Sequence, residues 1–170
     1  MVSNLSIRVS QALKNFALHT AGTRILIAGR GSRLHLKSSP NVRVLGHLDD
    51  MRDFYNACDV VIGTGRVVAE SLACKTPTLM IGTGGYHGLI TEHNLQRTIS
   101  HNFADHAATH RTWTKSQLHH RLTQVRSERI GVRKNTRRVN SLIRDRLSTA
   151  RLVQRVLIVY KSIVSKHPRT

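Results

Sequence analysis

One stretch of the chain combines residue types that could bind a phosphate group. An apolar run at 59–62 is followed by a Gly-Thr-Gly turn and then by a helical pattern. Glycines let the backbone approach a ligand closely. The first N–H groups of a helix are unpaired and carry partial positive charge. We therefore predict an anion site, best suited to phosphate. The residues of this predicted site are Thr64, Gly65, Arg66 and Val67.

Two charged side chains lie beside this turn, one helical turn apart. Arg66 would add a full positive charge and a guanidinium fork for phosphate oxygens. Glu70 falls on the same helix face and could accept hydrogen bonds from ribose hydroxyls. The alternative is an ordinary helix after a glycine turn, with Arg66 and Glu70 forming a surface ion pair. Spacing alone slightly favours the ordinary helix, because glycine turns before helices are common.

The elements around this stretch alternate between strands and helices. Apolar runs predict strands at 24–28, 42–45, 59–62 and 78–81, and each run is followed by glycine. Helical periodicity predicts helices at 5–19, 51–58 and 66–74. This alternation indicates an α/β fold with a Rossmann-like parallel sheet of about four or more strands flanked by helices. Ligands bind beyond the carboxyl ends of such strands, so the glycines lie where a ligand would lie.

The C-terminal third of the chain is helical in pattern and strongly basic. After residue 90 we predict helices at 91–102, with Thr91 as the N-cap, and at 115–128 and 135–164. The chain has 27 Lys and Arg against 9 Asp and Glu, a net charge of +18. Of these, residues 111–170 contain 16 basic and 2 acidic residues. We predict an α/β domain at 1–110 and a basic helical extension at 111–170.

The histidines and cysteines do not form a metal-site pattern. His106 and His110 are four residues apart, as on a metal-binding helix, but no third ligand is evident. Cys58 and Cys74 lie in apolar helical context outside any CxxC pair, which predicts buried free thiols and a reducing cytoplasmic location. The N-terminus lacks the apolar core of a signal peptide. We expect no membrane span, because no run approaches about 18 apolar residues.

Four segments, taken in order, resemble the C-terminal domain of retaining GT-B glycosyltransferases, in the group called families four and one. They are RILIAGRG, NVRVLGHLDDMRDFYNACDVVI, GTGRVVAESLACKTPTLMIG and GGYHGLITEHNLQRTISHNFADH. The resemblance covers about half the chain. It implies a domain that binds a nucleotide diphosphate sugar as donor substrate, without a cofactor or bound metal. Helix dipole and basic side chains would stabilise the leaving diphosphate.

The resemblance also implies positions for the donor. No catalytic residue is assigned. The implied donor-binding residues are Gly29, Arg30 and Gly31 near the diphosphate, Gly46, His47 and Leu48 at the base, residues 64–67 at a phosphate, and Glu70 at the ribose.

The chain departs from the family's pattern at several points. Ile62 stands where many members have a second glutamate, and Lys75 stands where a glycine is usual. The family's domain begins one strand before the first helix of this chain. Its acceptor-binding domain also precedes that strand. One half alone would lack complete catalytic geometry.

Three hypotheses therefore stay open. The first is a donor domain that binds a nucleotide sugar. The second is a basic module that binds an anionic membrane or, less favoured, nucleic acid; a mixed case is a donor domain held at the inner membrane face. The residues of the basic module that bind the membrane or nucleic acid would be Arg133, Lys134, Arg137, Arg138, Arg144 and Arg151. The third is a fragment whose acceptor domain and first strand come from a partner chain, which predicts an unpaired sheet edge.

Overall fold

The computed structural model describes residues 4–29, 38–82, 85–104 and 112–166. Seven helices and five strands lie in these ranges. In chain order they are α1 (Asn4–His19), β1 (Ile25–Ala28), β2 (Val42–Gly46), α2 (Arg52–Asn56), β3 (Val61–Gly63), α3 (Arg66–Ala73), β4 (Thr78–Gly82), β5 (Gly85–Leu89), α4 (Glu92–Ser100), α5 (Lys115–Ser127), α6 (Arg129–Leu147) and α7 (Thr149–Lys166).

The strands form two sheets that share no hydrogen bonds within the described ranges. β1 pairs with β2 in parallel, with Ile25 opposite Val42. β3 pairs with β4 in parallel, and β4 pairs with β5 in antiparallel orientation. The predicted α/β class with parallel strands is thus confirmed. The sheet is not parallel throughout, because β5 adds an antiparallel edge.

β5 was missed in the sequence because its pattern is interrupted by glycine. Gly85 and Gly88 both have positive φ, 146° and 82°. Glycine within a strand weakens the strand signal, so the sequence pattern predicts no strand at 85–89. Pairing with β4 stabilises this segment, with Leu79 opposite Leu89.

The core lies on both faces of β4. Leu79 and Ile81 pack in one cluster with α1 and α5. Met80, between them in sequence, packs in a second cluster with α3, α4 and α6. Because successive strand side chains point to opposite faces, a strand that is buried on both sides is apolar at each position. This is why Leu79, Met80 and Ile81 form a continuous apolar run.

The predicted helix at 135–164 is two helices. The chain leaves helical geometry at Ser148, where φ is −67° and ψ is 137°. The Ser148 hydroxyl then accepts a hydrogen bond from Arg151 N–H at 3.2 Å, as an N-cap side chain does. The periodicity continued across this break, so the pattern did not reveal it.

α5 and α6 pack into the hydrophobic clusters on the two faces of β4, whereas the described side chains of α7 lie outside these clusters. Leu118 and Leu122 of α5 lie in the first cluster, and Val139 and Ile143 of α6 lie in the second. The described side chains of α7 are exposed throughout. The basic C-terminal region therefore contains two helices of the core and one that the core does not cover.

Candidate functional site

The turn between β3 and α3 leaves the N-terminus of α3 open. Gly65 is the N-cap, with φ of 59° and ψ of −129°, a backbone conformation that glycine adopts at low cost. No side chain caps this end. The first intrahelical bond is donated by Val68 N–H to the Gly65 carbonyl at 3.1 Å. The N–H groups of Arg66 and Val67 therefore precede the helix's own hydrogen bonds and suit an anion.

One part of the predicted anion site is wrong. We predicted unpaired N–H groups across residues 64–67, but Gly65 N–H donates to the Phe103 carbonyl at 2.7 Å. The chain reverses after α4 through Asn102 and Phe103, with φ of 52° and 56°, which carries that carbonyl to the turn. The Phe103 ring is buried in the same cluster as α3. This contact fixes the turn and removes one donor from the site.

Glu70 is held between two side chains. Its Oε1 lies 3.1 Å from Arg66 Nε, and its Oε2 accepts a hydrogen bond from the Tyr55 hydroxyl at 2.9 Å. The ion pair of the ordinary-helix alternative is thus present. Each carboxylate oxygen accepts more than one hydrogen bond, so Glu70 keeps acceptor capacity for a ligand hydroxyl.

The two partners of Glu70 differ in environment. The Arg66 side chain is 89% exposed, and exposed ion pairs contribute about 0–1 kcal/mol, so Arg66 can turn towards a ligand at small cost. Tyr55 is buried and also accepts a hydrogen bond from the Thr76 hydroxyl through its backbone carbonyl. Burial, and next the hydrogen bond to Glu70, raise the pKa of Tyr55 far above its usual range. Tyr55 therefore remains a fixed donor that orients the carboxylate.

The predicted residues after β1 and β2 are partly brought together. Gly29 N–H donates to the Gly46 carbonyl at 2.7 Å, so the ends of the two strands meet. His47 is exposed, with Nε2 3.5 Å from Asp49 Oδ1, and Leu48 is half-buried. Arg30 and Gly31 lie outside the described residues.

A cavity of about 1130 Å³ joins the ends of three strands. Ala28 of β1, Thr64 before α3, Val67 in its first turn, and Gly82 of β4 all line it. The ends of β1 and β3 therefore open towards a common space, as expected for parallel strands. Residues 46–48, the predicted base-binding residues, do not line this cavity.

Sequence reasoning missed two residues of this site. Tyr55 orients Glu70, and Phe103 fixes Gly65. Both fall within segments that carry the resemblance, yet neither has a charge or spacing that indicates a role. Tyr55 contacts Glu70 from 15 residues away in the chain. Phe103 contacts Gly65 from the turn after α4.

Cys58 and Cys74 are free thiols, as predicted, but both are half-buried and not buried as expected. Burial is the main cause that raises the pKa of both thiols, which lowers their reactivity. Within the described ranges no three His, Cys, Asp or Glu side chains lie together as metal ligands. His106 and His110 lie outside those ranges.

No helix in the part of the chain that the structure describes is both long and apolar enough to cross a membrane.

Comparison with known proteins gives one match. The family model described as "Glycosyl transferases group 1" matches residues 3–109, more than half of the chain. No curated protein and no solved structure matches. The matched range contains β1 to β5 and the α3 turn, and it confirms the resemblance drawn from the four sequence segments.

Proposed function

The chain belongs to the group 1 glycosyl transferases, which act in glycosyl transfer, and from this premise we propose that its α/β domain binds a nucleotide diphosphate sugar. The observation that carries the proposal is the open N-terminus of α3 with Glu70 oriented one turn further on. A diphosphate would accept hydrogen bonds from Arg66 and Val67 N–H, with the helix dipole favouring its charge. The Arg66 guanidinium would bind phosphate oxygens.

Glu70 would accept hydrogen bonds from the ribose hydroxyls. Its orientation by Tyr55 means that little side-chain entropy is lost on binding. When the sugar leaves, negative charge develops on the diphosphate, and the helix N-terminus and Arg66 would stabilise it. We propose that the donor needs no metal or cofactor, and that the acceptor is bound by a separate domain or partner chain.

The test is calorimetric titration with UDP and GDP at moderate salt. Wild-type protein should bind one of them saturably. Glu70→Gln should weaken binding about tenfold or more, because a hydrogen bond to a charged group contributes about 1.5–3 kcal/mol. Tyr55→Phe should weaken it less, since Glu70 stays charged but loses its orienting donor.

Glu92→Gln is the matched control. Glu92 also pairs with an arginine, Arg138, at 3.5 Å, but it lies at the start of α4 outside the site. The Glu92→Gln variant should bind the nucleotide with the same affinity as wild type. Equal affinity in Glu70→Gln and Glu92→Gln would remove Glu70 from the donor site.

A second function is favoured by α7. Six large apolar side chains of this helix are 47% to 67% exposed; they are Val153, Val156, Leu157, Ile158, Val159 and Tyr160. Arg151, Arg155 and Lys161 are exposed on the same helix. An amphipathic helix with basic residues can lie in the interface of an anionic membrane. We propose that α7 holds the domain at such a surface.

Arginines of α6 would add to this attraction. Arg133 lies 3.5 Å from Asp59, and Arg138 lies 3.5 Å from Glu92. All four side chains are more than a third exposed, so these pairs are weak and leave the arginines accessible to lipid headgroups. Nucleic acid would use the same charges, but few aromatic side chains are present to stack on bases.

Vesicle co-sedimentation distinguishes these cases. Binding to vesicles that contain phosphatidylglycerol should fall about tenfold in Leu157→Asp, because the apolar face of α7 is then charged. Ile130→Asp is the control, since Ile130 is 87% exposed on α6, and it should bind almost as wild type. Vesicle binding that is unchanged in Leu157→Asp but falls steeply as salt rises would indicate instead a surface that binds polyanions by charge alone.

A further inference from the structure

A second cavity, of about 460 Å³, lies beside β5, and we call it the β5 cavity. Its walls come from β5, the start of α4, the C-terminal half of α5 and the first turns of α6. The volume falls within the roughly 300–1,000 Å³ of small-molecule sites. None of the described residues predicted to bind the donor lines it. The β5 cavity therefore shares no described residue with the proposed donor site.

The Tyr86 hydroxyl is buried at this cavity without a hydrogen-bond partner among the described residues. Tyr86 is 5% exposed, and its ring packs in the first hydrophobic cluster. Gly88 also lines the cavity, and a Cβ at Gly88 would lie 3.7 Å from the hydroxyl oxygen. Glycine at this position thus leaves the hydroxyl open to the cavity. A buried hydroxyl that lacks a partner costs about 1–3 kcal/mol, so a polar ligand group beside it would be favoured.

A row of three polar side chains, from α5 to its C-cap Glu128, lines the same cavity. Arg121 Nη1 donates a hydrogen bond to Gln124 Oε1 at 2.6 Å, and Gln124 Nε2 donates one to Glu128 Oε2 at 3.1 Å. Burial raises the pKa of Tyr86, and the nearby Arg121 opposes that rise. The positive end of the row therefore lies beside the Tyr86 hydroxyl, and the negative end lies where α6 begins.

Hydrogen bonds fix the end of β5 to both neighbouring helices. Asn94 of α4 donates to the Leu89 carbonyl at 2.9 Å, and Asn135 of α6 donates to the Ile90 carbonyl at 3.2 Å. Both asparagines line the cavity, as does Leu89. The walls are thus held in place before a ligand arrives, so little ordering entropy is lost on binding.

The charges of the lining indicate the chemical class of the ligand. Of Asp, Glu, Lys and Arg, the described lining contains Arg121 and Glu128 alone. These two charges balance, although the chain as a whole carries +18. A simple anion would be repelled by Glu128, and a simple cation would be repelled by Arg121. A small molecule that carries both charges would be attracted by both side chains.

The Gln124 amide shows how such a molecule would fit. The amide accepts a hydrogen bond from Arg121 and donates one to Glu128. The carboxylate and ammonium groups of an α-amino acid offer the same acceptor and donor, close together on one carbon atom. Each of them also carries a full charge, which adds an attraction that the neutral amide lacks. An α-amino acid would therefore displace the Gln124 amide from both partners.

We propose that the β5 cavity binds an α-amino acid with an apolar side chain. The ligand carboxylate would accept hydrogen bonds from Arg121 and the Tyr86 hydroxyl, and the ligand ammonium group would donate to Glu128. The ligand side chain would lie against Leu89 and Val132, which also line the cavity. This inference goes beyond donor binding, because it assigns a second ligand to a different set of residues.

Calorimetric titration of the full chain with L-leucine at neutral pH tests the proposal. L-Leucine should bind saturably at millimolar concentrations. Isocaproate has the same side chain but lacks the ammonium group, and isoamylamine lacks the carboxylate. Each analogue should bind about tenfold more weakly or worse, because it loses a hydrogen bond to a charged side chain that contributes about 1.5–3 kcal/mol.

Substitutions along the polar row test each of its members. Arg121→Gln and Glu128→Gln should each weaken L-leucine binding about tenfold. Gln124→Ala should strengthen it, because no amide then competes for the two charged side chains. Arg126→Gln is the matched control, since Arg126 is exposed on α5 but does not line the β5 cavity. The control variant should bind L-leucine as wild type does.

Tyr86→Phe keeps the aromatic ring and removes only the hydroxyl. Binding of L-leucine should weaken about fivefold, which corresponds to one hydrogen bond of about 1 kcal/mol. The midpoint of thermal unfolding without ligand should be unchanged or higher, because the hydroxyl has no partner there among the described residues. A lower unfolding midpoint with unchanged L-leucine binding would show that the hydroxyl serves the core and not a ligand.

Three further outcomes would overturn the proposal. Isocaproate or isoamylamine that binds as tightly as L-leucine would show that one of the two charges is not recognised. L-Leucine binding that is unchanged in Arg121→Gln would place the ligand elsewhere. A lack of saturable binding for both L-leucine and L-phenylalanine would show that the cavity takes no apolar amino acid. The donor proposal is tested separately, because Glu70→Gln should retain L-leucine binding and Arg121→Gln should retain nucleotide binding.

Discussion

α6 and α7 are neighbouring basic helices with opposite surroundings. α6 buries one stripe against the strands' core, made up of Val132, Thr136, Val139, Asn140 and Ile143. α7 exposes the apolar residues that its own periodicity groups together. Both helices carry arginines, so charge does not distinguish them. The comparison shows that a basic helix near the end of a chain can be part of the core, and that only its contacts reveal this.

The largest expected difference between the two helices is in core stability. Ile143 is 3% exposed and packs with α3 and α4, whereas Ile158 is 67% exposed. Ile143→Ala should lower the free energy of unfolding by about 2–5 kcal/mol, as for buried large-to-small changes. Ile158→Ala should change it by less than about 0.5 kcal/mol. Urea unfolding followed by circular dichroism measures both, and similar losses would mean that α7 is also packed.

A smaller difference is expected from two side-chain amides. Asn140 of α6 donates to the carbonyls of Leu72 and Ala73 at 2.8 Å and 3.0 Å, and it is buried. Asn140→Ala would remove this donor from both carbonyls, although Leu72 keeps the hydrogen bond from Lys75 N–H, and should lower the free energy of unfolding by about 1–3 kcal/mol. Gln154→Ala in α7, where the side chain is exposed, should be nearly neutral. A neutral Asn140→Ala would show that α6 docks by apolar contact alone.

The smallest effect should come from the helix end on which α6 docks. Lys75 has φ of 61°, and Thr76 N–H donates to the Ser71 carbonyl at 2.9 Å while Lys75 N–H donates to the Leu72 carbonyl at 3.0 Å. This is a Schellman motif with lysine at the position that favours glycine. Lys75→Gly should therefore stabilise the protein by about 0.5–1 kcal/mol in thermal unfolding.

Asn102→Gly is the control for that change. Asn102 has φ of 52° in an equivalent turn after α4, and asparagine tolerates this region better than lysine. Its gain should be smaller than that of Lys75→Gly. If Lys75→Gly destabilises the protein, the lysine side chain makes a contribution that outweighs its backbone strain.

Much of the fold could be predicted from local pattern. β1 to β4 and α3 are short apolar or amphipathic runs bounded by glycine, and each signal lies within a few residues. β5 could not be predicted, because its glycines weaken the pattern and its stability comes from pairing with β4. The break at Ser148 was hidden for the opposite reason, since apolar periodicity continued across it.

The candidate site likewise combines features that the local sequence determines with contacts that it does not. The sequence by itself determined the Gly-Thr-Gly turn, the helix that follows it, and the facing of Arg66 towards Glu70, because these depend on residues within one or two helical turns. Only the tertiary structure decided that Tyr55 orients Glu70, that Phe103 takes the Gly65 N–H, and that β1 and β3 face one cavity. Those contacts join residues distant in the chain, and no local pattern of residue types encodes which distant backbone group will be adjacent.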